Sequence, residues 1–146
     1  GDLPGSGLLF PLAMKVQGGH SSTVRTLLAI DEAAGSLVFA GDVPVDAHVR
    51  LMRASIDGLI DGAIAAAVEC STPLLRKPEL AILVSCVGRK LVLHQRIEEE
   101  IEEVAHILGD IPICGFYSYG ELAPARQDGI CELHNQTMTI TTLSER

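Results

Sequence analysis

The chain has 146 residues, a formal net charge of −8 and 47% hydrophobic residues, but only 3% aromatics and no Trp. That length accommodates one domain whose core needs no covalent staples, and no apolar run approaches the ~18 residues of a membrane span. Acidity and the lack of stacking rings argue against a nucleic-acid partner, which is held by Lys, Arg and aromatic platforms.

Residues 1–7 (Gly1-Asp2-Leu3-Pro4-Gly5-Ser6-Gly7) read as a linker or cloning remnant ahead of one domain over 8–146. There is no signal-peptide pattern and no initiator Met, so a domain cut from a longer polypeptide is expected. Residues 8–16 form a candidate strand, placed at an edge or a strand start by Pro11, which cannot donate to a ladder. The next candidate loop is 17–22. Strands follow at 24–30 and 37–40, joined through Asp31-Glu32-Ala33-Ala34-Gly35 as a hairpin with positive φ at Gly35. Residues 48–52 alternate polar and apolar, as a half-exposed strand does.

Ser55 is a candidate N-cap, and Asp57 suits the positive end of a helix. Ile56, Leu59, Ile60, Ala63, Ile64, Ala67 and Val68 then recur at helical spacing, up to Thr72-Pro73. Residues 80–87 are nearly all apolar and predict a strand buried on both faces. A second helix spans 96–108, with Ile97, Ile101, Val104, Ala105 and Leu108 inward. Glu98, Glu99, Glu100, Glu102 and Glu103 read as its solvated face, and Gly109 as its C-terminal cap. Strands at 111–119 and 133–143 complete the chain, with a loop over 120–132.

The order β-β-β-β-α-β-α-β-β predicts an α+β (mixed α/β) domain. It has a mixed β-sheet, a right-handed β-α-β crossover and two main helices on one face. The N-terminal β-hairpin strands extend or flank that sheet. Residues 80–87, 111–119 and 133–143 are expected as adjacent strands.

If 80–87 and 111–119 are parallel, and the last strand returns antiparallel to its predecessor, one sheet edge collects the polar residues. Carboxyl ends of such strands are common ligand sites. Arg89 offers a planar fork for a carboxylate. Glu121 can take an ammonium, while Asn135 and Gln136 donate and accept. With Tyr119 these residues form a candidate ligand site for a small zwitterion. The plainer alternatives are an internal ion pair for Arg89 and Glu121, and satisfaction of turn backbone by Asn135 and Gln136.

The G-x-S-x-G, Walker A and H-E-x-x-H signatures are absent. Cys86 ahead of Gly88-Arg89 could be a thiolate nucleophile with His134 as base, or a packed core cysteine. Cys70, Cys86, Cys114 and Cys131 include no C-x-x-C pair. Reduced thiols without disulfides are expected, in the cytoplasm. No metal or cofactor is implied, and no catalytic residue is assigned.

Three stretches resemble the FIST C-terminal domain: Val84-Ser85-Cys86-Val87-Gly88-Arg89, Gly115-Phe116-Tyr117-Ser118-Tyr119-Gly120-Glu121-Leu122, and Leu133-His134-Asn135-Gln136-Thr137-Met138-Thr139. The resemblance covers nearly the whole chain, with its specific part from about residue 80 onward. It implies a sensory domain of a prokaryotic signal-transduction protein. The partners it implies are a small-molecule ligand, amino acids in particular, an N-terminal FIST domain of the same protein, and a signalling output domain. A protein-interaction or dimerisation module, including a homodimer, is the alternative.

Overall fold

The computed structural model describes residues 3, 5–15, 22–71, 77–124 and 129–145. Helices and strands contribute comparable shares, as expected of an α+β domain. The loop expected over 17–22, apart from Ser22, and the helix stop at 72–73 lie outside the described residues.

Helix α1 (Gly5–Leu9) lies partly within the segment expected as a linker, and buries Gly7 and Leu8. A Cβ on Gly7 would collide with the Leu27 carbonyl. Strands β1 (Leu12–Lys15), β2 (Thr23–Arg25) and β5 (His48–Leu51) make an antiparallel sheet in the order β2-β1-β5. Strands β3 (Leu27–Asp31) and β4 (Ser36–Phe39) pair separately. Gly35 turns between them with φ +60°, and the Asp31 carboxylate accepts from the Ala34 amide at 2.9 Å. The single strand expected at 24–30 is thus two, interrupted at Thr26. All these strands flank the central sheet; none extends it.

Helix α2 (Ile56–Ser71) begins where Ser55 Oγ accepts the Gly58 amide at 3.1 Å, as an N-cap does. Its buried residues are Leu59, Ile60, Ala63 and Ala67, and the two alanines let it lie close to the sheet.

The central sheet has the order β10-β6-β7. Strand β6 (Leu80–Cys86) pairs in parallel with β7 (Ile113–Ser118), through Ala81↔Ile113 to Cys86↔Ser118. Parallel neighbours need a long connection. Here it is helix α3 (Val87–Leu93), a 3₁₀ turn (His94–Arg96) and helix α4 (Ile97–Leu108). Ala63 and Ala67 of α2 and Val104 and Leu108 of α4 pack with Ala81, Leu83 and Met138. Both helices therefore cover the same sheet face. A second cluster joins Leu8, Leu59, Ile60, Val92 and Leu93.

Five further expectations change. Strand β10 (Met138–Leu143) lies against β6, not β7, with Met138 opposite Ser85; its start nevertheless reaches the expected edge. The strand predicted over 133–143 is two, because Gln136 takes φ +55° and turns the chain. The loop predicted over 120–132 contains the hairpin of β8 (Glu121–Pro124) and β9 (Cys131–His134). Val87, expected to end the strand over 80–87, instead opens α3 (Val87–Leu93). Finally, β6 is buried on one face only. Ile82 and Val84 are half-buried, and Cys114 and Phe116 across from them are exposed, because both helices lie on the opposite side.

All four cysteines are free. Cys114 and Cys131 are exposed, Cys70 is half-buried and Cys86 is buried. Four thiols should therefore titrate in the denatured, non-reduced protein. A disulfide reagent on the native protein should give two fast groups and two slow ones. A count of two or zero after denaturation would contradict the expectation of reduced thiols.

Candidate functional site

The carboxyl ends of β6 and β7 and the start of β10 meet at one edge, and four of the five expected site residues converge there. Arg89 stands in the first turn of α3, directly after β6, and is 3% exposed. Its Nε and Nη2 both donate to Glu100 Oε2, at 3.0 and 2.6 Å. Nη2 also reaches the Leu59 carbonyl at 2.7 Å, and Nη1 the Gln136 carbonyl at 3.5 Å. Ser85 Oγ donates to the other Glu100 oxygen at 3.3 Å.

Glu100 is the residue that sequence reasoning placed in water. It is 0% exposed. The buried stripe of α4 is Glu100, Val104 and Leu108, at i, i+4 and i+8, while Ile101, expected inward, is 37% exposed. The signal was the four-residue spacing back from Leu108 and Val104. Residue type concealed it, because a glutamate within an acid run is ordinarily solvated.

Glu121 is 1% exposed. Its carboxylate accepts from Ser118 Oγ at 2.6 Å, from Thr137 Oγ1 at 2.9 Å and from the Thr137 amide at 3.4 Å. Asn135 Oδ1 accepts the Thr26 amide at 3.2 Å, and its Nδ2 donates to the His134 carbonyl at 3.1 Å. Gln136 Nε2 donates to Thr26 Oγ1 at 3.1 Å. Arg25 adds a second tie between the layers, donating to the Leu133 carbonyl at 2.8 Å and the Asp42 carbonyl at 2.9 Å. Tyr119 stays apart from this group and is 90% exposed.

Arg89, Glu121, Asn135 and Gln136 thus belong to a buried polar hub binding the N-terminal layer, α2, α3 and the central sheet. Among the described residues every buried side-chain N or O has a partner. Buried polar groups must be satisfied in this way. Cys86, also buried, has its thiol pushed above the usual range by burial, against the lowering effect of backbone hydrogen bonds from Gln136 and Gly88. That opposes thiolate chemistry. His134 Nε2 lies 3.1 Å from the Ala123 carbonyl. No cluster of three or more His, Cys, Asp or Glu among the described residues could hold a metal.

Next to the hub lies a cleft of about 160 Å³, lined by Pro11, Val24, Arg53, Ser55, Leu59 and Gln136 among others. Arg53 is exposed. The start of α2 is here as well, through Ser55 and Gly58. Sequence reasoning missed Arg53 and Ser55 as site residues, since no motif marks them; they lie in the connection between β5, which pairs with β1, and α2, and only the tertiary fold brings them to Gln136.

The profile of the FIST C domain family matches residues 1–124. The chain belongs to the FIST C domain family. This family is associated with signal transduction. The FIST C match includes residues 1–7 and two of the three resembling stretches; the third, at 133–139, lies beyond it. No curated protein and no solved structure shows significant similarity to this FIST C domain. No helix among its described residues is long and apolar enough to cross a membrane.

Proposed function

We propose that this domain is a non-catalytic sensory module that binds a small carboxylate, an amino acid being the leading candidate, in the cleft at Gln136. One observation carries the reading: the cleft brings an exposed arginine and the start of a 16-residue helix to the surface of the buried polar hub. A helix start favours negative charge, and an arginine fork binds a carboxylate strongly. Pro11, Val24 and Leu59 supply an apolar wall for the body of the ligand. Asp57, in the same first helical turn, is paired to Arg96 at 3.0 Å, which offsets its repulsion of an anion.

Size restricts the ligand. Clefts for drug-sized ligands occupy about 300–1,000 Å³, whereas about 150 Å³ holds a benzene-sized guest. In this reading Gln136 touches the ligand, and Arg89, Glu121 and Asn135 hold Gln136 and its turn in place. The left-handed backbone of Gln136 is a strained conformation of the kind that collects at functional sites. Occupancy would bear on the turn that joins both layers, which gives a route from binding to signalling.

A thermal-shift screen of the amino acids and short carboxylic acids tests this reading. At least one should raise Tm in a concentration-dependent way. Arg53→Ala, an exposed change, should leave Tm of the free protein unchanged and weaken binding about tenfold, the equivalent of ~1.4 kcal/mol. A hit that Arg53→Ala binds as tightly as wild type places the ligand elsewhere. The absence of any hit defeats the sensory reading for this chain.

A further inference from the structure

Strands β1 and β5 gather basic side chains on one face of the N-terminal sheet. Lys15 stands opposite His48, and Ala13 stands opposite Arg50 on one side and Val24 on the other. Cross-strand partners point to the same face, as do residues two apart along a strand. Lys15, His48, Ala13 and Arg50 therefore share a face, and Met14 and Val49 point to the opposite one.

That face is concave. A depression of about 230 Å³ is lined by Ala13, Lys15, Ser22, His48 and Arg50 among others. Ala13 is half-buried, and its methyl group leaves a low floor between longer neighbours. Lys15, Ser22, His48 and Arg50 are exposed. They bring an ammonium, a hydroxyl, an imidazole and a guanidinium fork to one place, a set rich in donors. No Asp or Glu among the described residues lines the depression.

Taken alone, this arrangement works against the fold. Like charges directly opposite on paired strands destabilise a sheet, and Arg50 lies on the diagonal from Lys15. Elsewhere cations are matched, Arg89 with Glu100 and Arg96 with Asp57 and Glu99. Among the described residues no carboxylate pairs with Lys15, His48 or Arg50. A bound anion would supply the missing charge.

The donors indicate its class. A carboxylate has one charge and two oxygens, which a single arginine fork satisfies. A phosphoryl group carries about −1.5 to −2 at pH 7 and three acceptor oxygens, enough to engage Lys15, His48 and Arg50 together. The net charge of −8 opposes any anion, but physiological salt screens exposed charges beyond about 8 Å.

We propose that the face of β1 and β5 at Lys15, His48 and Arg50 binds a phosphoryl group, free or carried on a small molecule. Lys15 and Arg50 neutralise it, His48 and Ser22 complete its hydrogen bonds, and Ala13 lets it approach the strands. The depression shares no lining residue with the cleft at Gln136. It stands whether or not that cleft binds a ligand.

Backbone amide NMR of the 146-residue chain tests this, with ionic strength held constant by sodium chloride. Inorganic phosphate should shift residues 13–15 and 48–50 saturably. Acetate should bind there at least about tenfold more weakly. Glycerol phosphate, titrated in parallel, separates the two sources, since the tighter binder shows which form the site takes. Lys15→Gln and Arg50→Gln should each weaken phosphate binding at least about tenfold. Both positions are exposed, so Tm without phosphate should not fall. Arg53→Ala, which alters the other cleft, should leave the phosphate shifts at 13–15 unchanged. Shifts that never saturate, or acetate binding as tight as phosphate, would overturn the proposal in favour of a merely solvated basic face. So would an Arg50→Gln protein that binds phosphate like wild type. Phosphate shifts confined to residues 53–58 would overturn it in favour of the cleft at Gln136.

Discussion

Glu100→Ala should cost about 3–5 kcal/mol of folding stability, the range for removing one partner of a buried ion pair. The mutation deletes Oε2, which accepts from both Nε and Nη2 of Arg89, and Oε1, which accepts from Ser85, and strands a guanidinium that is 3% exposed. Only the carbonyls of Leu59 and Gln136 would remain to it. Glu98→Ala and Glu102→Ala, two residues away on either side but exposed, should stay within about 0.5 kcal/mol of wild type. Equilibrium urea unfolding of the three variants is the measurement. A Glu100→Ala protein within 1 kcal/mol of wild type would mean that water or local rearrangement rescues Arg89. The double replacement Arg89→Met, Glu100→Leu should recover most of the loss, since an apolar pair of similar volume often does as well as a buried ion pair.

The same pair changes what Arg89→Ala can report. Read from the sequence, Arg89 is a ligand contact whose removal leaves the fold intact. In the structure its removal leaves Glu100 as a buried carboxylate, so Arg89→Ala measures folding first and binding only afterwards. Arg53 is the appropriate binding probe.

Gly115→Ala is the second large effect expected. Gly115 pairs with Leu83 in the middle of the β6–β7 ladder, and a Cβ there would run into the Leu83 carbonyl. The obstacle is backbone, which cannot swing aside as a flexible side chain can. Overpacking commonly costs about 1–3 kcal/mol, and here relief requires parting the parallel pair, so the upper end or more is expected. For a chain of this size that lowers Tm at about 2–4 °C per kcal/mol. Gly5→Ala, in α1 with nothing near its added Cβ, should show no loss and serves as the control. A Gly115→Ala protein as stable as wild type would show that the ladder can open at this point without penalty.

The sequence by itself determined the periodic elements and the family. Ser55 capped α2, the alanine stripe faced the sheet, the Gly35 hairpin turned where its φ demanded, and the β6 and β7 segments carried apolar runs strong enough to be read directly. Those features are local, set by spacing and backbone preference within a few residues. The edge at which Arg89, Glu121, Asn135 and Gln136 converge was also legible, because parallel neighbours put their carboxyl ends together whichever strand comes third. What those side chains do there was decided only by tertiary structure. Glu100 became a core residue because α4 is rotated to face Arg89, and a buried guanidinium selects a carboxylate over an isoleucine. The apolar β6 was covered on one face only, because both helices crossed on the same side. Residues 133–143 split because Gln136 turns left-handed, with its side chain bound to Thr26, 110 residues earlier in the chain. A contact of that separation leaves no local pattern in sequence, since it depends on two layers whose packing no window of residues encodes.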